Sequence, residues 1–444
     1  MLTDTAPSSF QEAGPGRSFV DSSYSLNGDN IVAMTIGTYD RCRSLIIDPG
    51  LRFSTYFEHI NHRAMTVGSD DTIYIAGGWS NNLTVTPNAF CQTDSGNHDG
   101  WISRFDSNVS RLIYSTYFGG SGLDIIQDIE IDRLGRICIV GSTQSTDFPI
   151  TSNAIQSSHK GGPTDGFLAI INASGRTLDY GSYIGGSGND YASCVQPHKS
   201  GRIYLYGMTD SVDLPTTNGA YSEVSQGFND VFVMRLNKTL EQIDFCTYIG
   251  GSGNEQSTPN CIRIVENESL FIGLMTESND FPTTQGSLDT GHNGGYDIAI
   301  LHLTSDGTRM LWGTYFGSPD EDRISGIKLD RSNNIWYWGS TDSKNLTTTK
   351  DAHQSTYAGG IADGFYAFLS SNGTTLKYSS YLGGSGQDWL TGLLLDPNDR
   401  PMVIGATTSK GFRMPTTSFD QDYLSNGNKV LIMWFDILNG CLLY

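Results

Sequence analysis

Charged residues and long apolar runs are both scarce in this sequence. Only 17% of the residues are Asp, Glu, Lys or Arg, whereas glycine occurs 52 times in 444 residues. No apolar run approaches the roughly 18 residues of a membrane-spanning helix, and residues 430–435 form one of the longest. Low charge with abundant glycine predicts many short strands joined by tight turns, and the missing run excludes insertion into a membrane.

Basic residues are also few. The chain has 27 Lys and Arg against 47 Asp and Glu, a net charge of −20. Nucleic acids and anionic membranes need a basic surface, so both are excluded as partners, while cations and basic peptides stay compatible. Residues 1–7 lack the basic and apolar regions of a signal peptide. We therefore expect either a cytoplasmic chain or one whose leader is absent from this sequence.

The cysteines share no spacing. No pair is separated by two residues, as a zinc or redox motif would require, and their number is odd. We therefore expect reduced, partly buried thiols and neither a disulfide framework nor a zinc site. The seven are Cys42, Cys91, Cys138, Cys194, Cys246, Cys261 and Cys441.

One phrase returns roughly every 65 residues. It reads Tyr114-Ser-Thr-Tyr-Phe-Gly-Gly-Ser-Gly122 and recurs at residues 180–188, 245–253 and 378–386, with shorter copies at 312–317 and 53–57. Between two copies lie four strand patterns. In the second unit, residues 127–141 form a hairpin pattern, a loop of some twenty residues follows, and residues 165–171 and 178–184 form another pair. Six such units predict an all-β fold, a β-propeller of four-stranded antiparallel blades.

The N-terminus predicts a further, compact blade. Residues 24–37 have the pattern of the first hairpin, and residues 44–56 have that of the last two strands with the long loop missing. We therefore expect a flexible segment over 1–17 and one propeller domain over 18–444, with 18–57 as a seventh blade. The alternative is a six-bladed ring with an N-terminal β extension.

The last unit ends before its fourth strand is complete. An open strand edge promotes aggregation, so we expect the N-terminal segment to cover it.

Three ordered phrases resemble one family. They are the Tyr-Ser-Thr-Tyr-Phe-Gly-Gly-Ser-Gly phrase, Asp-Phe-Pro as at Asp147, and Asp-Gly-Phe as at Asp165. Together they resemble the SBBP repeat family, from about residue 20 onward, and residues 39–49 are similar to the segment that precedes the first repeat in such proteins. The resemblance implies a seven-bladed β-propeller and an exported or surface-associated protein without a known activity. The extracellular or cell-surface location stays an expectation, because the chain shows no export signal and more cysteines than such proteins would have.

Acidic residues recur on the side of the propeller that carries the long loops, where function is expected. In five units an acid stands seven residues after the second tyrosine of the repeated phrase, which we call the anchoring tyrosine, whereas the first copy has Arg63 at that place. Around an axis these acids could form a ring that binds Ca²⁺, another cation or a basic peptide. Two alternatives are that each acid caps its own glycine-rich turn, or that it is solvated decoration. The candidates are Asp124, Asp190, Glu255, Asp322 and Asp388.

A second set of acids starts the third strand of each unit. We expect these to be structural, each tying a loop to neighbouring backbone. They are Asp99, Asp165, Asp230, Asp297 and Asp363.

Catalytic motifs are missing. His59 and His62 are the one pair of histidines that could hold a metal with a nearby carboxylate, and solvated turn residues are the plainer interpretation. No nucleophile elbow, HExxH or phosphate-binding loop stands in a suitable context. We therefore expect a non-catalytic scaffold or binding module that needs no cofactor and presents an acidic long-loop face to a protein or glycan. The alternative is a glycan-active hydrolase or lyase with carboxylates near the axis.

Overall fold

The computed structural model describes residues 8–13, 16–27, 31–39, 45–48, 60–80, 82–409, 429–436 and 441–442. Within these ranges the chain is all-β, with no helix. The N-terminal strands are β1 (Ser8–Ala13), β2 (Gly16–Val20), β3 (Ser22–Asn27), β4 (Ile31–Ile36) and β5 (Leu45–Asp48). They form a three-stranded sheet of order β2-β1-β5 and a separate β3-β4 hairpin.

Six antiparallel sheets follow, which we call blades 1 to 6. Blade 1 contains β6 (Ile60–Val67), β7 (Ile73–Ser80), β8 (Gly100–Phe105) and β9 (Leu112–Phe118). Blade 2 contains β10 (Asp124–Ile131), β11 (Ile137–Thr143), β12 (Asp165–Ile171) and β13 (Leu178–Ile184). Blade 3 contains β14 (Asp190–Pro197), β15 (Ile203–Thr209), β16 (Asp230–Leu236) and β17 (Ile243–Ile249).

Blade 4 has an interrupted first strand, because β18 (Glu255–Gln256) and β19 (Ile262–Ile264) both pair with β20. It continues with β20 (Leu270–Thr276), β21 (Asp297–Leu303) and β22 (Met310–Phe316). Blade 5 contains β23 (Asp322–Leu329), β24 (Ile335–Thr341), β25 (Asp363–Leu369) and β26 (Leu376–Leu382). Blade 6 contains β27 (Asp388–Leu395), β28 (Pro401–Thr407), β29 (Lys429–Asp436) and β30 (Cys441–Leu442).

These sheets confirm the predicted fold, a β-propeller of four-stranded antiparallel blades. The N-terminal strands lie where the sequence predicts a seventh blade, as a hairpin and a small sheet. The domain boundary at residue 18 stays a prediction; β1 precedes it, β2 crosses it, and residues 49–59 lie outside the described ranges. In blade 6 the described part of the fourth strand, β30, is Cys441–Leu442, and the incomplete last repeat stays a prediction.

The core lies between neighbouring blades. The middle strands are apolar on both faces, and all seven residues of β11 and of β12 are buried. A strand buried on both faces reads as a continuous apolar run, and Ile137-Cys-Ile-Val140 is such a run. The first strand of each of blades 2 to 6 packs on the preceding blade, as β14 does on β10, β11 and β12.

Candidate functional site

The acids of the first set, which we call the first-strand acids, begin the first strand of five consecutive blades. Asp124, Asp190, Glu255, Asp322 and Asp388 are the first residues of β10, β14, β18, β23 and β27. Their side chains are 0–1% exposed to solvent. That burial removes the interpretation of these acids as solvated decoration.

Their contacts are those of turn caps. Asp190 Oδ2 accepts a hydrogen bond from Gly186 N at 2.8 Å and from Ser211 Oγ at 2.9 Å. Thr209 Oγ1 donates to the other oxygen. Gly186 is the second residue of the Gly-Gly-Ser-Gly turn, so the carboxylate closes that turn and ties it to the loop that follows β15. The same two donors, a turn N–H and a serine hydroxyl, reach the other four acids: Gly120 and Ser145 for Asp124, Gly251 and Ser278 for Glu255, Ser318 and Ser343 for Asp322, Gly384 and Ser409 for Asp388.

The serines belong to a repeated Thr-x-Ser motif that the sequence reasoning missed. In blade 3, Ser211 N donates to Thr209 Oγ1 at 2.9 Å, and Ser211 Oγ accepts from Gly188 N at 2.7 Å. The signal was present, because a threonine and a serine two residues later follow the second strand of five units. The copies begin at Thr143, Thr209, Thr276, Thr341 and Thr407.

The third-strand acids are also buried. Asp99 immediately precedes β8, and Asp165, Asp230, Asp297 and Asp363 begin β12, β16, β21 and β25; all five are 0% exposed. Each Oδ2 accepts a backbone N–H from the long loop just before it. The donors are Ser95, Lys160, Gln226, Asn293 and Ala358, at 2.7–3.0 Å.

The two sets meet at the blade boundaries. Asp124 N donates to His98 O at 3.0 Å, which places Asp124 of blade 2 beside Asp99 of blade 1. The same backbone bond links the next four blades. Its donors and acceptors are Asp190 and Thr164, Glu255 and Asn229, Asp322 and Tyr296, Asp388 and Ala362. Each boundary therefore holds one acid from each set, and the two acids of a boundary are 25 residues apart in the sequence.

Burial dominates the electrostatics of these acids. It raises the pKa of Asp99 to about 6 and the pKa of Asp165 and of Asp363 to about 7. The neighbouring acid adds to each shift: Asp124 raises the pKa of Asp99, Asp190 that of Asp165, and Asp388 that of Asp363. Burial likewise raises the pKa of Glu255 and of Asp322 to about 7. The hydrogen-bond donors around them stabilise the ionised forms and lower the pKa, but by less than burial raises it.

The anchoring tyrosines fasten the long loops to this layer. Tyr248 OH donates to Ser211 O at 2.8 Å and accepts from Leu214 N at 2.9 Å. Asp213, the residue before Leu214, accepts a hydrogen bond from Ser187 N at 2.7 Å and so caps the Gly-Gly-Ser-Gly turn between blades 2 and 3. The loop, the turn and the tyrosine therefore form one connected layer.

Metal ligands are not assembled in the described part of the chain. No group of three or more His, Cys, Asp or Glu side chains is placed there to hold a metal ion. His59 lies outside the described residues, and His62 is exposed on β6. The cation ring therefore stays a prediction. Among described cysteines, Cys138, Cys194, Cys246 and Cys261 are buried free thiols, and Cys91 is a partly exposed one.

Large apolar side chains project from the long loops. Val212, Val224 and Phe228 belong to the loop between β15 and β16 and are 74%, 61% and 76% exposed. Ile361 is 70% exposed and stands two residues before Asp363, as Phe228 does before Asp230. Phe228 N donates to Gly253 O at 3.1 Å, so the side chain of Phe228 is exposed while its backbone is hydrogen-bonded to the turn that follows β17.

Two family descriptions match parts of the chain. Residues 113–149 match the β-propeller repeat SBBP, and residues 1–50 match a domain of unknown function, DUF7948. No curated protein matches the sequence. No helix long and apolar enough to cross a membrane occurs in the described ranges.

Several solved structures are similar in shape. An ulvan lyase of a polysaccharide lyase family, PL25, is 11% identical with a TM-score of 0.46, over 86% of this chain and 81% of that one. A protein of unknown function from Dyadobacter fermentans DSM 18053 is 13% identical with a TM-score of 0.42, over 81% and 93%. The quinohemoprotein alcohol dehydrogenase ADHIIG from Pseudomonas putida HK5 is 8% identical with a TM-score of 0.40, over 82% and 58%. These low scores and identities carry no argument about activity or substrate.

The match at residues 113–149 falls on the hairpin, turn and loop that the blades repeat. It confirms the resemblance over those residues, and the chain is a β-propeller protein that carries an SBBP repeat at residues 113–149.

Proposed function

We propose that the chain is a non-catalytic binding module whose long-loop face engages a protein or glycan partner. The observation that carries the proposal is the exposure of Phe228 and its neighbours on a fastened loop. Exposed apolar side chains grouped on one loop mark interaction sites, and aromatic residues contribute much of the binding energy at such sites. Since the loop backbone is already bonded to the next turn, little ordering would oppose binding.

The acids favour this role over chemistry. A hydrolase or lyase would use carboxylates that reach a substrate in a pocket, with unequal environments. The first-strand acids instead lie buried under their turns, where each accepts a turn N–H and a serine hydroxyl. At least one oxygen of each of these acids is thus engaged in holding a turn and a loop in place.

A selection experiment tests the proposal. The purified chain is used to select ligands from a displayed-peptide library and is also applied to a glycan array. Selected ligands are then measured on Phe228→Ser and on Leu134→Ser, a control that removes a 65% exposed apolar side chain from a short turn. We expect Phe228→Ser to weaken binding by about tenfold or more, a loss of about 1.4 kcal/mol, and Leu134→Ser to leave it unchanged.

Two outcomes would contradict the proposal. Ligands that bind Phe228→Ser as tightly as the parent would place the binding surface elsewhere. Turnover of an arrayed glycan would favour the hydrolase or lyase alternative.

A further inference from the structure

The third-strand aspartates share an asymmetric pattern of hydrogen bonds. In all five, Oδ2 accepts a backbone N–H at 2.7–3.0 Å. In all five, Oδ1 has no hydrogen-bond partner among the described residues, although it is buried. An ionised carboxylate accepts on both oxygens, whereas a carboxylic acid accepts on one and donates from the other. One accepting and one unused oxygen is the pattern of the acid, and all five third-strand aspartates have it. Oδ1 of Asp124, Asp322 and Asp388 is unpartnered as well, but Oδ2 of each of these accepts both a turn N–H and a serine hydroxyl.

At three of the five boundaries a second acid lies where the donated proton would go. A Cβ atom built on Gly119 would lie 2.7 Å from Asp99 Oδ1 and 2.5 Å from Asp124 Oδ2, so both oxygens face one point. The first glycine of the turn that ends the third and the fourth unit, Gly250 and Gly317, is flanked in the same way. At Gly250 the flanking oxygens are those of Asp230 and Glu255, and at Gly317 those of Asp297 and Asp322.

The first-strand acid is suited to be the acceptor. Every donor placed on Asp190 points at one of its oxygens: Gly186 N and Ser211 Oγ at Oδ2, and Thr209 Oγ1 at Oδ1. These donors stabilise the ionised form. Two ionised carboxylates so close in a buried site would repel each other strongly, and one proton between them removes the repulsion.

We propose that each third-strand aspartate carries a proton on Oδ1 and donates it to the first-strand acid of the next blade, so that acid pairs join neighbouring blades. The proton, and not a metal ion, is the occupant, because Ca²⁺ takes six to eight oxygen ligands and each boundary offers two carboxyl groups. When the pair loses its proton, the repulsion returns and the boundary is weakened. The pairs therefore make the propeller sensitive to alkali.

The raised pKa values of Asp99, Asp165 and Asp363 agree with this arrangement at their three boundaries. Other charged groups face the pairs. Asp94 faces Asp99, and Asp147 faces Asp124. Lys160 and Asp210 act on the Asp165–Asp190 pair, where His159 Nδ1 lies 3.7 Å from Asp165 Oδ1. Burial lowers the pKa of His159, which favours its neutral form. His292 and Asp289 act on Asp297.

Two substitutions in one pair give a matched test. Asp165→Asn places an amide N–H where the acid carries its proton and keeps a carbonyl oxygen for Lys160 N. Asp190→Asn replaces an acceptor of three hydrogen bonds with a group that has one acceptor oxygen. The free energy of unfolding of both variants and the parent is measured in urea at about pH 5 and about pH 8.5, which bracket the titration.

We expect Asp165→Asn to match the parent at about pH 5 and to be the more stable of the two at about pH 8.5, while Asp190→Asn is destabilised at both. The infrared carbonyl band of protonated carboxylic acid should persist in the parent at about pH 6, where ordinary carboxyl groups are ionised. It should shrink in the Asp99→Asn, Asp165→Asn double variant.

Equal destabilisation by Asp165→Asn and Asp190→Asn at both pH values would show that both acids are ionised acceptors and would overturn the proposal. The absence of the protonated band in the parent would overturn it without any variant. Calcium binding that is lost in Asp165→Asn would replace the proton with a cation.

Discussion

At the scale of single residues, the acids of this propeller act through the hydroxyl groups around them. Ser211 is the central example, because its Oγ donates to Asp190 at 2.9 Å and accepts from Gly188 N at 2.7 Å. It therefore connects the carboxylate, the turn and the loop after β15. A buried hydroxyl with two such partners contributes more than the average hydrogen bond, because its removal leaves two polar groups unpaired.

Ser211→Ala should lower the free energy of unfolding by about 1–3 kcal/mol. The matched control is Ser157→Ala, which removes an exposed hydroxyl from the long loop of blade 2 and should change stability by less than about 0.5 kcal/mol. Urea unfolding followed by circular dichroism measures both. Equal effects of the two substitutions would mean that Ser211 does not connect these parts.

The Thr-x-Ser motif shows a limit of reading residues one at a time. Thr209 and Ser211 are ordinary residues for the end of a strand, so their type alone predicts nothing. Their role depends on Asp190, which lies 21 residues earlier than Ser211 in the sequence and starts the same blade. Only the recurrence of the pair at one phase of the repeat could have singled it out.

At the scale of elements, the Gly-Gly-Ser-Gly turn is shaped by the acid pair. The sequence predicts a tight turn, and glycine is expected there for its backbone freedom. The structure gives another reason for the first glycine, because two carboxylates from different blades occupy the space of its missing Cβ. That reason could not be predicted, since it needs the contact between blades.

Gly119→Ala should be strongly destabilising, because the new Cβ would lie 2.5 Å from Asp124 Oδ2 and 2.7 Å from Asp99 Oδ1. Forcing a methyl group into a packed site typically costs about 1–3 kcal/mol. Gly291→Ala is the control, since its nearest neighbour is Asp289 Oδ1 at 3.8 Å. Thermal unfolding should show a lower midpoint for Gly119→Ala alone, and equal midpoints would refute the packing argument.

At the N-terminus, the pairing of strands could be predicted only for strands that are adjacent in the sequence. The β3-β4 hairpin (Ser22–Ile36) coincides within two residues with the pattern at residues 24–37, because a hairpin is specified by its own turn and alternation. The four-residue strand β5 instead pairs with β1, more than thirty residues earlier. So short a strand takes its partner from tertiary contacts, which periodicity does not report.

At the scale of the whole molecule, the five buried pairs bear on the expected cation ring. A ring that binds Ca²⁺ needs oxygens free to coordinate, whereas the first-strand acids already accept hydrogen bonds from their turns and serines. We expect calcium, added after chelation, to leave the melting temperature unchanged. A rise of several degrees that disappears in Asp388→Asn would instead support the ring.

Stability should fall as the pH rises through the range in which most proteins are most stable. The folded-state pKa of Asp99 is about 6 and that of Asp165 and of Asp363 is about 7, above the ordinary values of about 4. Between about pH 4 and pH 7 the folded state therefore binds more protons than the unfolded state. The free energy of unfolding must then decrease with rising pH across that window and level off above it.

Exposed turn caps act in the opposite direction. Hydrogen bonds from Ser121 and Ser187 lower the pKa of Asp147 and of Asp213, so the stability that these caps contribute is lost as the pH falls below about 4. The two effects together place the maximum of stability at about pH 4–5, on the acid side of the usual range. Urea unfolding at a series of pH values measures the curve, with Asp147→Asn as a control that should flatten only its acid limb. A free energy of unfolding that rises from about pH 4 to pH 7 would show that the buried acids are ionised in the folded chain. The blade boundaries would then be stabilised by other contacts.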